Sequence, residues 1–463
     1  MLVREISLPG EVSQALERLE RAGWEAWAVG GCVRDSLLGK KPADWDLCTD
    51  APPEETLRCF AEERCVTAGI KHGTVAVWLA GKPVEITTYR VEGAYSDCRR
   101  PDTVAFTRRV EEDLARRDFT VNSMAYHPAR GLQDPFGGWD DLERGLLRCV
   151  GDPAKRFGED ALRLLRALRF SACLGFFLEE GTEQALRAGR EGLRHVAAER
   201  ALEELRKLLC GEAVGKVLRQ YGEVLGVLLP ELVPMMGFPA LEFDVYEHTV
   251  RSVEAVGPDF LLRMTMLLHD IARPFCFQKE GARIVGYEGH CALGAKMADR
   301  VLARLRADGD TRREITRLIA LHDGPVEEDR ACLLDWLAEI GEGRLQRLIQ
   351  VLRADLLGQQ EPDAGRLAAL DRAERHLDAL LAEGAVYSLR QLAVSGRELI
   401  AAGFAPGPGM GEILRGLLAS VMGGETENSP PALLKRAEEL RGFHPKRPRI
   451  EVCPHPSALG WES

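Results

Sequence analysis

Two aspartates separated by one residue, Asp44 and Asp46, follow paired glycines, Gly30 and Gly31, within the segment AVGGCVRDSLLGKKPADWDLCT. On a strand, carboxylates two apart point to one face. So close together they repel unless a divalent cation lies between them and a substrate phosphate. Two such ions about 4 Å apart can activate an attacking hydroxyl and stabilise a departing pyrophosphate. The glycines suit the other half of that chemistry. A strand over Ala26–Val29, a turn at Gly30-Gly31 and a helix beginning over Val33–Leu38 bring backbone N–H groups up to a phosphate. No GxxxxGK[ST] occurs, which excludes a P-loop. Taken singly, the glycine turn and the DxD also fit an ordinary surface turn.

A second constellation lies further along. His248, His269-Asp270, His290, His322 and Asp355 fall in or at the ends of helix-like stretches: VYEHTVRSV, LLHDIARP, GHCALGAKMA, LIALHD and VLRADLL. Imidazole and carboxylate are ligands for a transition metal, and an adjacent His-Asp pair offers two donors at one helix end. A lone histidine is usually structural; the ordered set is what points to metal.

These side chains need elements to hold them. The first ~150 residues mix strand and helix patterns. A second strand is read at Trp45–Cys48, with the aspartates at its start, and Thr74–Leu79 and Val84–Tyr89 flank a hairpin turn at Gly81-Lys82. From Lys155 onward the pattern is helical. Ala161, Leu164, Leu165, Leu168 and Ala172 recur at helical spacing, with Glu159, Asp160, Arg163 and Arg166 on the other face. Breaks are expected near Leu229–Pro239, Gln360–Pro362 and Ala405–Gly411.

The 463 residues exceed one hydrophobic core, and 45% hydrophobic with 29% charged residues is a globular balance. No apolar run reaches the ~18 residues that cross a bilayer. Met1–Arg21 carries Glu5, Glu11, Glu17 and Glu20 and lacks the apolar centre of a signal peptide, so a cytoplasmic location is expected. A net charge of −11 excludes a protein that coats nucleic acid through its overall field, though not a local basic track. Arg99, Arg100, Arg108, Arg109, Arg116 and Arg117 cluster, as do Lys446, Arg447 and Arg449; alone they read as solvated surface. The twelve cysteines, Cys32, Cys48, Cys59, Cys65 and Cys98 among them, form no CxxC, so neither a zinc site nor a disulfide framework is indicated and most are expected to be buried.

Together, GGxVRDxLLGxxxxDxD, the Glu85-bearing segment GTVAVWLAGKPVEITTYR, DLARRDFTVNSMAY and DPFGGWDDL resemble a nucleotidyltransferase family. It is the branch of the polymerase β-like superfamily that holds bacterial CCA-adding enzymes and poly(A) polymerases. The resemblance implies an α+β protein: a nucleotidyltransferase head of small mixed sheet and helices over 1–150, then an all-α neck (151–235), an HD-type body (236–360) and a tail (361–463). It implies Mg²⁺ on Asp44 and Asp46 with Glu85 assisting. The nucleotide would be bound by Gly30, Gly31, Arg34, Arg116, Arg117, Asp118 and Asn122. The expected partners are CTP, ATP and the tRNA acceptor arm, gripped by shape and backbone charge, with neither membrane nor DNA. Glu92–Thr107, with Tyr95, Arg99 and Arg100, resembles the family's flexible loop that switches from CTP to ATP. Its full length favours complete CCA addition, and Cys98 stands where glycine is expected.

The block GEDALRLLRALRF resembles the base-selecting edge, with Glu159, Asp160, Arg163 and Arg166. The chemistry is direct: Asp160 and Arg163, three apart on a helix, share a face. A carboxylate only accepts and a guanidinium only donates, which matches the amino donor beside a ring-nitrogen acceptor of cytosine and adenine and mismatches uracil and guanine. The plain alternative is a surface ion pair worth roughly 0.5 kcal/mol. The histidine set resembles the HD phosphohydrolase superfamily in His248, His269, Asp270 and Asp355, with His290 and His322 as further ligands, and Arg273 stands where lysine is common. It implies a transition metal that activates water against phosphate esters, suited to trimming 3′ ends. Two alternatives stay open: a poly(A) polymerase or A-adding enzyme, and an HD-type hydrolase whose head only binds RNA.

Overall fold

The computed structural model describes residues 5–93, 103–239, 244–281 and 283–441. The chain separates into two compact units, Met1–Pro230 and Glu231–Ser463, at the first expected break. The expected head and neck share the first unit.

Alternating apolar residues build the sheet of that unit. Its strands are β1 (Ala26–Val29), β2 (Asp46–Thr49), β3 (Cys65–Val66), β4 (Thr74–Leu79) and β5 (Lys82–Thr88), with β8 (Ala125–His127) and β9 (Gly131–Gln133); β6 (Arg90–Glu92) and β7 (Val104–Phe106) pair separately. The order is β3-β4-β5-β2-β1-β8-β9. Within this sheet, among the described residues, β2 and β5 run parallel, whereas β1–β2, β4–β5, β1–β8 and β8–β9 are antiparallel. Val84, Ile86 and Thr88 are buried on one face of β5, and Val75, Val77 and Leu79 on β4 join them. The other face carries Trp27, Val29, Cys48 and Tyr89 against Val110 and Leu114 of a short helix, Val110–Ala115. Helices then take over. Pro153–Glu159 is followed by Leu162–Leu174, whose Leu164, Leu165, Leu168 and Ala172 are buried as the spacing predicts.

The second unit is helical. Val245–Ala255, Phe260–Leu268, His290–Arg304, Gly309–Leu321 and Glu342–Gly358 pack on one another, and Ala364–Ala382 follows the expected break. Gly358 permits the close approach of its helix to Val245–Ala255, since a Cβ there would lie 3.0 Å from His248 O. Further on, Leu392, Val394, Leu399, Phe404, Leu417 and Leu433 form a separate apolar cluster. Among the described cysteines only Cys32, Cys48, Cys149 and Cys332 are buried, fewer than expected. The 94–102 part of the expected loop, including Tyr95, Cys98, Arg99 and Arg100, and the basic cluster Lys446, Arg447 and Arg449 lie outside the described residues.

Candidate active site

One register assembles the carboxylates. β2 opens at Asp46, whose Cα partner on parallel β5 is Glu85. Leu47 and Ile86, the next pair, are buried, so Asp46 and Glu85 face the opposite side, Asp46 half-buried and Glu85 exposed. Asp44 departs from the expectation. It sits exposed in a bend ahead of the strand, because pairing to β5 begins only at Asp46 and Pro42 supplies no N–H to extend it. Its charge still reaches Asp46. Burial, reinforced by Asp44 and Glu85, pushes the Asp46 carboxyl up to about 6 against the pull of Arg117. A carboxylate whose proton affinity is raised by two neighbouring carboxylates belongs to the oxygen-donor set that a hard divalent cation neutralises.

The glycine turn lies alongside. Gly30 has φ +84° and ψ −130°, a conformation closed to side chains, and the helix Gly31–Leu37 begins at once. A Cβ on Gly30 would fall 2.8 Å from Arg117 Nη1, so the absence of a side chain lets the guanidinium lie against the turn. Gly30→Ala is expected to cost about 1–3 kcal/mol in backbone strain and to displace Arg117, so that CTP affinity and melting temperature fall together; calorimetry and a thermal melt read both.

Asp113, fully buried, positions the two arginines. Arg116 Nη2 lies 2.8 Å from Asp113 Oδ1 and Arg117 Nη2 3.2 Å from Oδ2. Burial pushes the Asp113 carboxyl up, but the two guanidiniums hold it below the ordinary range. Buried Asp118, Asn122 and Arg34 form a further chain with half-buried Arg166. Arg34 donates to Asn122 Oδ1 at 2.5 Å, Asn122 to Asp118 Oδ1 at 3.2 Å, and Arg166 Nε to Asp118 Oδ2 at 2.7 Å. Burial opposes the Asp118 charge, yet Arg166 and Asn122 bring its carboxyl down to about 2. Arg34, Asp118, Asn122 and Arg166 therefore brace one another beneath the turn.

The expected Asp160–Arg163 pair is not formed. The helix ends at Glu159, Asp160 is extended (φ −145°, ψ 108°), and the next helix starts at Leu162, so the two do not share a helical face. Asp160 instead caps the new helix through Leu162 N (3.0 Å) and pairs with Arg200 Nη2 at 2.7 Å. Arg163 Nη1 donates to Glu159 Oε2 at 2.6 Å, and its Nη2 reaches the Arg116 carbonyl at 3.4 Å. The arginine of this edge is thus tied to the Arg116 backbone.

The second unit brings all six predicted residues together. His248, His269, Asp270 and Asp355 offer ligand atoms within 4.8 Å of one another. His248 Nε2 lies 3.3 Å from His269 Nε2 and 3.0 Å from Asp355 Oδ1. His290 Nε2 and His322 Nε2 are 3.2 Å apart. In His269, His290 and His322 the Nδ1 faces a backbone carbonyl, of Met266, Tyr287 and Ile319, at 2.6, 2.7 and 2.6 Å. A carbonyl only accepts, so each Nδ1 carries the hydrogen and a neutral ring turns its Nε2 lone pair inward. Converging lone pairs and carboxylates need positive charge between them. Both Asp270 oxygens are buried without a hydrogen bond; Arg273 Nε is 2.8 Å from Oδ1 but poorly directed. Protons supply the charge when no cation does. Burial works against charged rings, but Asp270 raises both His269 and His322 above the ordinary value. The arrangement fits a metal ion. A cavity of about 350 Å³ opens at His322 and Asp355, with Arg366 and Arg372 on its wall.

Sequence reasoning misses Asp113, Arg200 and Cys291. By sequence Cys291 is one of the scattered cysteines, yet its thiol joins His290 and His322 in a second group within 4.8 Å. Its position directly after His290 is the available signal.

Known proteins resemble this chain over nearly its whole length. The family described as "Poly A polymerase head domain" matches residues 26–148, and "Probable RNA and SrmB- binding site of polymerase A" matches 175–236. A CCA-adding enzyme of Levilactobacillus brevis is 36% identical, covering 92% of this chain and 98% of its own. That of Leuconostoc mesenteroides is 35% identical over 93% and 97%. The Bacillus stearothermophilus CCA-adding enzyme, solved in complex with CTP, superposes with a TM-score of 0.65 at 28% identity, covering 93% of this chain and 96% of that one. With that identity and coverage, the chain belongs to the CCA-adding enzyme family, the tRNA nucleotidyltransferases.

Proposed function

We propose that this protein adds C, C and A to the 3′ end of tRNA, consuming CTP and ATP and releasing pyrophosphate. The observation that supports it most is the Asp46–Glu85 register beside the Gly30 turn, in a chain of this family. Asp44 and Asp46 would hold Mg²⁺, which when bound lowers the pKa of a hydroxyl and offsets phosphate charge. Glu85 adds a third carboxylate to that edge. Arg117, held against Gly30, binds the triphosphate with its planar, always-charged fork, and Arg116 sits on the same Asp113 anchor. Arg200 orients Asp160 but leaves lone pairs free, since a carboxylate has about four acceptor sites. Asp160 can thus accept the amino group of cytosine or adenine while Arg163 donates to the ring nitrogen. The division into head (1–150), neck (151–235), body (236–360) and tail (361–463) belongs to this reading, with body and tail gripping the acceptor arm. No helix among the described residues is long and apolar enough to cross a membrane, and the reading places the protein in the cytoplasm.

Incubating a tRNA transcript that lacks CCA with the protein, Mg²⁺, CTP and ATP, then sequencing its 3′ end, tests this. Addition of C, C, A followed by arrest is expected. Long A tails would make it a poly(A) polymerase, and extension only of tRNA ending in CC an A-adding enzyme.

The converging imidazoles favour a second reading for the helical unit. There His248, His269, Asp270 and Asp355 would hold a transition metal, and the adjoining cavity, with Arg366 and Arg372, would receive a phosphate ester. A 3′ end carrying phosphate or cyclic phosphate is the substrate that suits the first activity.

A further inference from the structure

Asp270 is shared between two groups of donors. Its Oδ2 lies 3.4 Å from His248 Nε2 and 3.2 Å from His269 Nε2, beside Asp355. Its Oδ1 points the other way, 3.7 Å from His290 Nε2 and 3.6 Å from His322 Nε2. Asp270 is fully buried, and neither oxygen makes a hydrogen bond. The second group holds one donor of another kind. Cys291 Sγ is 3.6 Å from His290 Nε2, and His290, Cys291 and His322 present ligand atoms within 4.8 Å of one another. His290 and Cys291 are the first two residues of the helix His290–Arg304, where the helix dipole favours a thiolate.

From this juxtaposition we infer that Cys291 is a thiolate ligand of a second metal position, formed with His290, His322 and Asp270 Oδ1, which selects a thiophilic divalent ion such as Zn²⁺ over Mg²⁺. The inference rests on the reading that the helical unit binds metal. Two imidazoles, a thiolate and a carboxylate oxygen form a four-donor set of the kind zinc takes tetrahedrally, whereas Mg²⁺ demands oxygen octahedrally. On binding, the sulfur–metal bond forms as the thiol proton leaves to solvent, and no electron is exchanged. The fixed Nδ1–H donors of His290 and His322 orient the two rings toward the ion before it arrives. The His248–His269–Asp355 side contains no sulfur, so the two positions differ in the metals they accept.

Full-length protein stripped of metal and titrated with Co²⁺ tests this, read by absorption and by metal content. Two equivalents are expected in the helical unit, counted on an Asp46→Asn background so that the head carboxylates do not add to the total, with a sulfur-to-cobalt charge-transfer band in the near ultraviolet. Cys291→Ser should abolish that band and weaken one equivalent about tenfold or more, while keeping the other. His248→Ala should weaken the other equivalent and keep the band. Circular dichroism confirms that each variant is folded. A Co²⁺-loaded protein whose spectrum and stoichiometry are unchanged by Cys291→Ser overturns the thiolate assignment and leaves metal binding standing. A folded protein that takes up no Co²⁺ overturns both.

Discussion

Asp46→Asn is expected to lower nucleotide addition to a CCA-less tRNA by at least about 10³-fold, close to 4 kcal/mol of transition-state stabilisation. The same variant should melt no lower than the native protein. In the native protein Asp46 is half-buried and its carboxyl is pushed up to about 6 by burial, Asp44 and Glu85. An amide of the same shape removes that repulsion, so stability holds or rises while activity collapses. Loss of activity without loss of stability is the mark of a group kept for chemistry. Single-turnover extension with CTP, set beside a thermal melt, measures both. Addition within tenfold of native would remove Asp46 from the reaction. Metal uptake by the helical unit should not change in this variant, which keeps the two sites experimentally separate.

The second large effect is on stability. Asp118→Ala strands Arg166, Asn122 and the Phe119 N–H, which Asp118 Oδ1 accepts at 2.8 Å. Removing one partner of a buried ion pair costs about 3–5 kcal/mol. Arg166 is 32% exposed and has Glu204 at 3.8 Å to fall back on, so the lower end, about 3 kcal/mol, is expected. Urea unfolding should show a lower midpoint with an unchanged slope. The pH dependence has a definite sign. The Asp118 carboxyl is held at about 2 in the folded protein and near 3.9 when unfolded. Its contribution is therefore complete above pH ~4 and lost as pH falls through about 2, so the gap between native and variant narrows on acidification. A gap that stays constant to that pH would show that the pair contributes nothing. Because Arg34 and Asn122 belong to the same chain beneath the Gly30 turn, nucleotide affinity should weaken as well.

Much of the nucleotidyltransferase site is legible in the amino-acid sequence. The Gly30-Gly31 turn and Asp46 stand within a short span, where strand, turn and helix are set by local preference. Glu85 follows because hairpin alternation places it on a known face, and the buried stripe of Leu162–Leu174 follows from its periodicity. The histidines are equally legible as a set, since each lies at or near a helix end. Partnership is not. Spacing matches Asp160 to Arg163, but the helix breaks between them and the carboxylate goes to Arg200, 40 residues away. Arg34 and Asn122 meet across 88 residues. Cys291, one scattered cysteine among twelve, gains meaning only because His322 arrives on a different helix. Local composition therefore determined which residue types could do chemistry and on which elements they lie. Which donor faces which acceptor was decided only by tertiary packing, because a buried charge takes whichever partner the fold brings within reach.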